Sequence, residues 1–289
     1  MADFGVRYPK ASNEAKEDKD LMQQARDITF KLQNKEEPYF SIWQKMRRIS
    51  IADMKVIYDE LGVAFDLWKG EADVNDYIAP MVEDLKSKNL ALQDAGAWIM
   101  DVQGEDDNKE IPPIILIKSD GASLYSTTDM ATIIERMKLY DPARIIYIVD
   151  QRQSLHFEQV FRAVRKAEIV KDNTELTFAG FGTMNGTDGK PFKTRAGGVM
   201  PLSDFIAMAK DKATARLNEA NLAADMDADE RADVADKVAI AAIKFADLQN
   251  QRQSDYVFDL DRLTSFEGKT GPYLLYQTHC STNNFPAAG

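Results

Sequence analysis

The chain has 289 residues, 44% of them hydrophobic, enough to bury a sizeable core in one large or two small domains. Its net charge of −11 argues against a general nucleic-acid coat, because phosphate backbones reward lysine and arginine, but it leaves room for a local basic site. A single cysteine, Cys280, excludes a disulfide framework and a cysteine zinc site, and the two histidines, His156 and His279, lie far apart in sequence. There is no N-terminal apolar run of signal length and none near the ~18 residues that span a membrane, so the expectation is a cytoplasmic protein with no membrane partner.

Residues 1–19 are polar and read as loosely ordered. From Asp20 to Lys35 the residues Leu21, Ala25, Ile28 and Leu32 share one helical face. After a break at Glu36–Pro38, the spacing of Phe40, Trp43 and Arg47 predicts a second helix, over 40–48. A third is expected from Ser50, with Ser50 as its cap, Asp53 three residues on and Gly62 closing it. A fourth runs from Tyr77 to Lys88, with Ile78, Met81, Val82 and Leu85 facing inward. Aromatic residues on stripes of this kind are core more often than cofactor contacts.

From Ala91 the period changes. Ala97–Val102 and Ile114–Lys118 read as strands joined by the acidic loop Gln103–Pro113. Ile145–Val149 is a continuous apolar run of the type found in parallel strands covered on both faces. A helix over 127–140, with Met130, Ile133, Ile134 and Met137 as its apolar face, separates the second and third strands, which predicts a strand–helix–strand crossover. A helix over 157–169 and a short strand over 176–179 follow. This middle region therefore reads as α/β and doubly wound, and ligands of such sheets bind beyond the carboxyl ends of the strands. After Met200 two long helices are expected, over 202–218 and 227–248. The acidic residues Asp225, Asp227, Asp229 and Glu230 at the start of the second read as a solvated cap that complements the helix dipole, in preference to a metal site.

Three stretches could carry chemistry. Gly180–Gly198 holds six of the fifteen glycines, and Lys190, Lys193 and Arg195 lie within six residues of each other. Few side chains block close backbone approach there, and the cations suit a phosphate ester; charge developing on a transferred phosphoryl group would be stabilised by them. The plain alternative is a surface hairpin, because Asn185-Gly186 and Asp188-Gly189 are tight-turn dipeptides. In Tyr125–Asp129, Ser126 could cap the following helix in a box with Asp129; alternatively Tyr125 and Asp129 face a pocket above the sheet. A carboxylate in such a pocket demands a cation, and a guanidinium fits it better than an ammonium. In Asp150–His156, the Gln153 amide could orient a polar ligand and His156 could bond a phosphate or a ribose, or be a satisfied structural group. No GxSxG points to a nucleophilic triad.

These stretches also resemble a known family. Tyr125–Asp129, DPARIIYIVDQRQSLHFEQVFRAVRKA over 141–167 and GFGTMNGTDGKPFKTRAGGVMPLSDFIAMA over 180–209 closely resemble class I arginyl-tRNA synthetases. So do YDELGVAFDLWKGEA over 58–72 and DYVFDLDRLTSFEGKTGPYLLY over 255–276, giving five blocks in family order. The resemblance implies that Tyr125, Asp129 and Gln153 hold the substrate L-arginine, with Asp129 on its guanidinium. It implies that Lys190, Lys193, Thr194 and Arg195 belong to the family's KMSKS-type loop around the ATP phosphates. Backbone near Gly182 and Met184 would line the adenine, and His156 matches a family histidine near the nucleotide. ATP as substrate, Mg²⁺ as helper and tRNA(Arg) as acceptor come with the family; no resident metal site is implied.

Departures from the family pattern matter as well. No histidine precedes His156, so the HxGH signature is absent, and QTHCSTNNFPAAG at the end is unlike family sequence beyond Gln277. Lys269 stands where the family usually has asparagine. The expected organisation is a helical insertion segment over 1–90, the second half of a Rossmann-like catalytic domain over 91–200, and a helical connecting segment with an unmatched tail over 201–289. The reading is an arginine–tRNA ligase, with these 289 residues inactive alone. The rival is a non-catalytic module that binds arginine or another partner. A purely structural scaffold explains neither the charged glycine loop nor the polar strand ends.

Overall fold

A computed structural model of the chain describes residues 2–186, 189–190, 200–219, 226–259 and 268–284. The chain divides into two compact units, Met1–Gly70 and Glu71–Gly289. In the first, α1 (Ala2–Glu17), α2 (Lys19–Gln33) and α3 (Tyr39–Glu60) follow one another. The loose start expected over 1–19 is helix instead. Lys10, Ala11, Glu14, Ala15, Lys16 and Glu17 are strong helix formers, and they carry the chain past Pro9, which withholds one backbone donor. Asp18 then caps α2 by accepting from the backbone of Asp20 at 2.8 Å and of Leu21 at 3.2 Å.

The two helices expected over 40–62 are the single helix α3, and Ser50 lies in its middle rather than at a cap. Nothing between Ser41 and Glu60 breaks a helix, so a residue suited to capping has no end to cap. Gly62, at φ 62°, does close it: Val63 N–H reaches Tyr58 O at 2.8 Å and Gly62 N–H reaches Asp59 O at 3.0 Å. Tyr58, Phe65 and Trp68 pack there with ring centroids 5.0 to 5.8 Å apart.

The second unit begins with a short 3₁₀ turn (Glu71–Val74) and α4 (Asn75–Ser87), which buries Met81, Val82 and Leu85. Strands β1 (Leu92–Asp94), β2 (Ala97–Met100) and β3 (Ile114–Ile117) form an antiparallel sheet in that order, β1 and β2 joined by the two-residue turn Ala95-Gly96. Next come α5 (Tyr125–Tyr140), β4 (Arg144–Asp150), a 3₁₀ turn (Gln151–Gln153), α6 (Ser154–Lys166) and β5 (Glu175–Phe181). Strands β4 and β5 are parallel, in register from Arg144↔Glu175 to Asp150↔Phe181.

The crossover expected between β3 and β4 is therefore not a single-sheet unit; the parallel pair is β4–α6–β5. The antiparallel partner β2 is nearer in sequence and takes the ladder of β3, so α5 joins two sheets instead of crossing one. One core nevertheless runs through both sheets. It contains Met100, Ile114 and Leu116 from the first, Ile145 and Tyr147 from the second, and Met130, Ile133, Phe157 and Val160 from α5 and α6.

Beyond the core, β6 (Met184–Asn185) pairs in parallel with β7 (Tyr256–Val257). Between them α7 (Leu202–Glu219) and α8 (Ala228–Leu248) pack closely through Ala209, Ala213, Ala235 and Ala239. The cap reading holds at α8: Asp227 accepts from Glu230 N–H at 2.9 Å and Glu230 accepts from Asp227 N–H at 3.3 Å. Asp225 lies outside the described residues. The last helix, α9 (Gly271–Asn284), runs through much of the tail that looked unlike the family.

Candidate functional site

The first turn of α5 is pinned to β3 by hydroxyl groups. Ser126 Oγ donates to Ile115 O at 2.7 Å and the buried Thr127 Oγ1 donates to Leu116 O. This settles the capping question raised by the sequence. Leu124, not Ser126, stands at the helix start, the Ser126 hydroxyl is spent on the sheet, and the Asp129 carboxylate takes no part in a cap. Tyr125 and Asp129, one helical turn apart, share a face of α5, and Tyr125 is 69% exposed.

Gln153 and His156 follow the carboxyl end of β4 and open α6, three residues apart. The structure joins the two stretches: His156 Nε2 lies 2.7 Å from Asp129 Oδ2, with both side chains about a quarter exposed. The imidazole stands edge-on to Phe157, 5.0 Å between centroids, and Phe157 packs on Tyr147 at 4.5 Å. Tyr147 is buried beneath the pair. Burial pushes its hydroxyl up to about 12; the Arg136 guanidinium, 4.8 Å from its ring, opposes that shift, and the charge of Asp129 adds to it. Tyr147 Oη and Gln151 Oε1 are sealed from solvent with no hydrogen-bond partner among the described residues.

The glycine stretch starts at the same end of the sheet, because Asp150 and Phe181 are register partners. Its backbone is braced by a segment that carries no site signal in the sequence. Arg252 Nη1 donates to Gly180 O at 2.8 Å, Gly182 N–H donates to Arg252 O at 2.9 Å, and Thr183 N–H donates to Asp255 Oδ1 at 2.7 Å. The Thr183 bond holds the Asp255 carboxyl below its ordinary range. Asp150 is held down to about 2 by the Arg152 guanidinium and by the Arg152 N–H. The visible signal for this brace was the polar run Gln249–Asp255 between an apolar helix and a strand, which reads as a plain turn until its partners are known.

Met184 follows in β6, and the Asn185-Gly186 turn closes with Gly186 N–H on Lys190 O at 2.7 Å and Gly189 N–H on Gly186 O at 2.9 Å. Thr187 and Asp188, in the middle of the stretch read as a hairpin, lie outside the described residues. Lys193, Thr194 and Arg195 lie outside the described residues. Among the described residues, no cluster of three or more histidine, cysteine, aspartate or glutamate side chains could hold a metal, and no helix is long and apolar enough to cross a membrane.

The comparisons with known proteins bear on the whole chain. Residues 1–260 match the family model described as "tRNA synthetases class I (R), catalytic domain". The arginine–tRNA ligase of Alkaliphilus oremlandii is 51% identical over 269 residues, covering 93% of this chain and 45% of that protein. The arginine–tRNA ligase of Agathobacter rectalis is 49% identical over 274 residues, covering 93% and 46%. The chain thus spans about half the length of these relatives. In fold it is similar to the crystal structure of arginyl-tRNA synthetase from Plasmodium falciparum, with a TM-score of 0.76 at 24% identity over 94% of this chain and 45% of the other. The Thermus thermophilus arginyl-tRNA synthetase gives a TM-score of 0.68 at 18% identity, over 93% and 52%. With nine-tenths of its residues under one family model, the chain belongs to the class I (R) tRNA synthetase catalytic-domain family.

Proposed function

We propose that the protein carrying this chain is a cytoplasmic arginine–tRNA ligase. Arginine and ATP form arginyl-adenylate, and the arginyl group then passes to the 3′ end of tRNA(Arg). The observation that carries the reading is the Asp129 carboxylate. Its partner among the described residues is a histidine, not a lysine or arginine of the chain, so the carboxylate is available to a guanidinium brought by a ligand. Tyr125 lies one helical turn before it on α5, and Gln153 lies three residues before its partner His156.

The arginine carboxylate attacks the α-phosphorus of ATP, and the bond to pyrophosphate breaks. No covalent enzyme intermediate is involved. Lys190, Lys193 and Arg195 stabilise the charge on the α-phosphate and the leaving pyrophosphate. Backbone at Gly182 and Met184 lines the adenine, Thr194 joins Lys193 on the phosphates, and His156 is placed with the nucleotide by resemblance alone. Mg²⁺ enters as the counter-ion of ATP and so as part of the substrate. In this reading residues 1–90 are a helical insertion, 91–200 the second half of the catalytic fold, and 201–289 the connecting segment.

Arginine-dependent exchange of pyrophosphate into ATP, measured with tRNA(Arg) present, tests the proposal in the gene product carrying this chain. Asp129→Ala is expected to raise the KM for arginine about a hundredfold while the KM for ATP stays within a factor of two. Exchange that is absent in the wild-type protein, with arginine binding retained and still dependent on Asp129, would favour the non-catalytic rival. Arginine binding indifferent to Asp129 would sink both readings.

A further inference from the structure

We propose that His156 is a positioning residue of the arginine subsite. Its Nε2–H holds one oxygen of the Asp129 carboxylate, so that the carboxylate is already oriented when a guanidinium arrives. The proposal rests on the arginine reading of Asp129 above, and it moves His156 from the nucleotide to the amino acid.

The argument begins with Asp129 itself. An aspartate one turn into α5, with a quarter of its side chain exposed, has two torsions to settle before a planar cation can dock on it. Ordering a side chain on binding weakens affinity, and a fixed neighbour removes that loss. An ionised carboxylate only accepts hydrogen bonds, so the 2.7 Å contact between Asp129 Oδ2 and His156 Nε2 requires the proton on Nε2. The carboxylate then keeps Oδ1, and a second site on Oδ2, for the fork of a guanidinium.

The histidine can serve as a fixed point because it is itself held. It sits in the first turn of α6, its ring is at 83° to Phe157, and Phe157 is 3% exposed and packed against Tyr147 and Phe178. The α5 end of the contact is pinned separately by the Ser126 and Thr127 hydroxyls on β3. Two anchored helix starts are thus joined by one hydrogen bond, and that bond ends on the carboxylate assigned to the substrate.

The kinetic test uses the gene product carrying this chain, with His156→Leu, His156→Gln and Asp129→Ala. Gln offers an N–H where the imidazole Nε2 stands, and Leu offers none. Expected for His156→Leu is a rise of about tenfold in the KM for arginine, the size of one hydrogen bond to a charged group, with the KM for ATP within twofold of wild type. His156→Gln is expected to recover most of that rise. A rise in the KM for ATP in place of that for arginine overturns the proposal and returns His156 to the nucleotide. A His156→Gln variant as impaired as His156→Leu also overturns it. If Asp129→Ala leaves the arginine KM unchanged, the underlying site reading fails; if Asp129→Ala is severe and both His156 variants are silent, the positioning role alone fails.

A second measurement does not depend on the His156 variants folding. These 289 residues have two histidines, so in the 289-residue polypeptide His279→Asn leaves His156 as the only imidazole. Long-range proton–nitrogen NMR spectra of that variant are expected to show Nε2 protonated. A ring protonated on Nδ1 alone cannot donate to Asp129 from Nε2 and would overturn the proposal.

Discussion

Gly182 stands where no side chain fits. A Cβ at that position would lie 2.4 Å from both the carbonyl carbon and the oxygen of Ser254, and 2.6 Å from Asp255 N. These are backbone atoms tied back to the same turn by Arg252 and Asp255, so they cannot swing aside as a flexible side chain would. Gly182→Ala is therefore expected to force the turn and the 252–255 segment apart, at a cost of about 1–3 kcal/mol. Calorimetry should show a melting temperature lower by roughly 2–4 °C for each kcal/mol. Steady-state kinetics should show a raised KM for ATP and an unchanged KM for arginine, since the adenine is assigned to this turn and Asp129 lies on another element. The sequence showed a glycine-rich stretch but could not show which glycine is obligatory, because Ser254 lies 72 residues away. The same limit applies to Ser126, which has the composition of a cap and is instead bonded to Ile115. It applies also to His156, whose partner Asp129 is 27 residues away.

At the scale of elements, the acidic loop Gln103–Pro113 is held to α6 by charge. Arg162 donates to both oxygens of Asp107, with Nη2 at 2.8 Å from Oδ1, and Gly104 N–H donates to Oδ2 at 2.7 Å. The Arg162 contact, then the Gly104 bond, hold the Asp107 carboxyl down to about 2 from an ordinary 3.8. The unfolded chain therefore takes up this proton at a higher pH than the folded one. The stabilisation is fully present above 3.8 and is lost as the pH falls toward 2. Asp107→Asn is expected to flatten the dependence of melting temperature on pH within that window and to leave its slope above pH 5 unchanged. An equally steep acid limb in the variant would show that the loop is held by something else. The long amphipathic helices were readable because their period repeats over many residues, and β4 because its apolar run is continuous. Strands β1, β6 and β7, of two or three residues each, carry no period to read. The pairing of β3 was hidden for a different reason: a strand, a helix and a strand in sequence do not state whether the strands share a sheet.

For the molecule as a whole, the β4–β5 pair has one finished face and one open face. Ile145 and Tyr147 are buried against α5 and α6, whereas Ile146 and Ile148, pointing the other way, are 49% and 69% exposed. Parallel strands are ordinarily covered on both sides. The proposed chemistry is one-sided in the same manner. The arginine subsite and the cationic loop are assigned to residues of this chain, but the first histidine of the sequence is His156, so these 289 residues contain no HxGH element for the ATP phosphates. A transition state that spreads charge over a transferring phosphoryl group needs donors on both sides, and losing a single such donor already slows catalysis by about a hundredfold or more. The 289-residue polypeptide, purified by itself, is therefore expected to give no arginine-dependent pyrophosphate exchange above background, even when tRNA(Arg) is added. Its retained carboxylate should still bind arginine weakly by calorimetry, and Asp129→Ala should abolish that binding. Robust exchange by the purified polypeptide would mean that its own residues complete the ATP cradle, and the division of labour argued here would have to be given up.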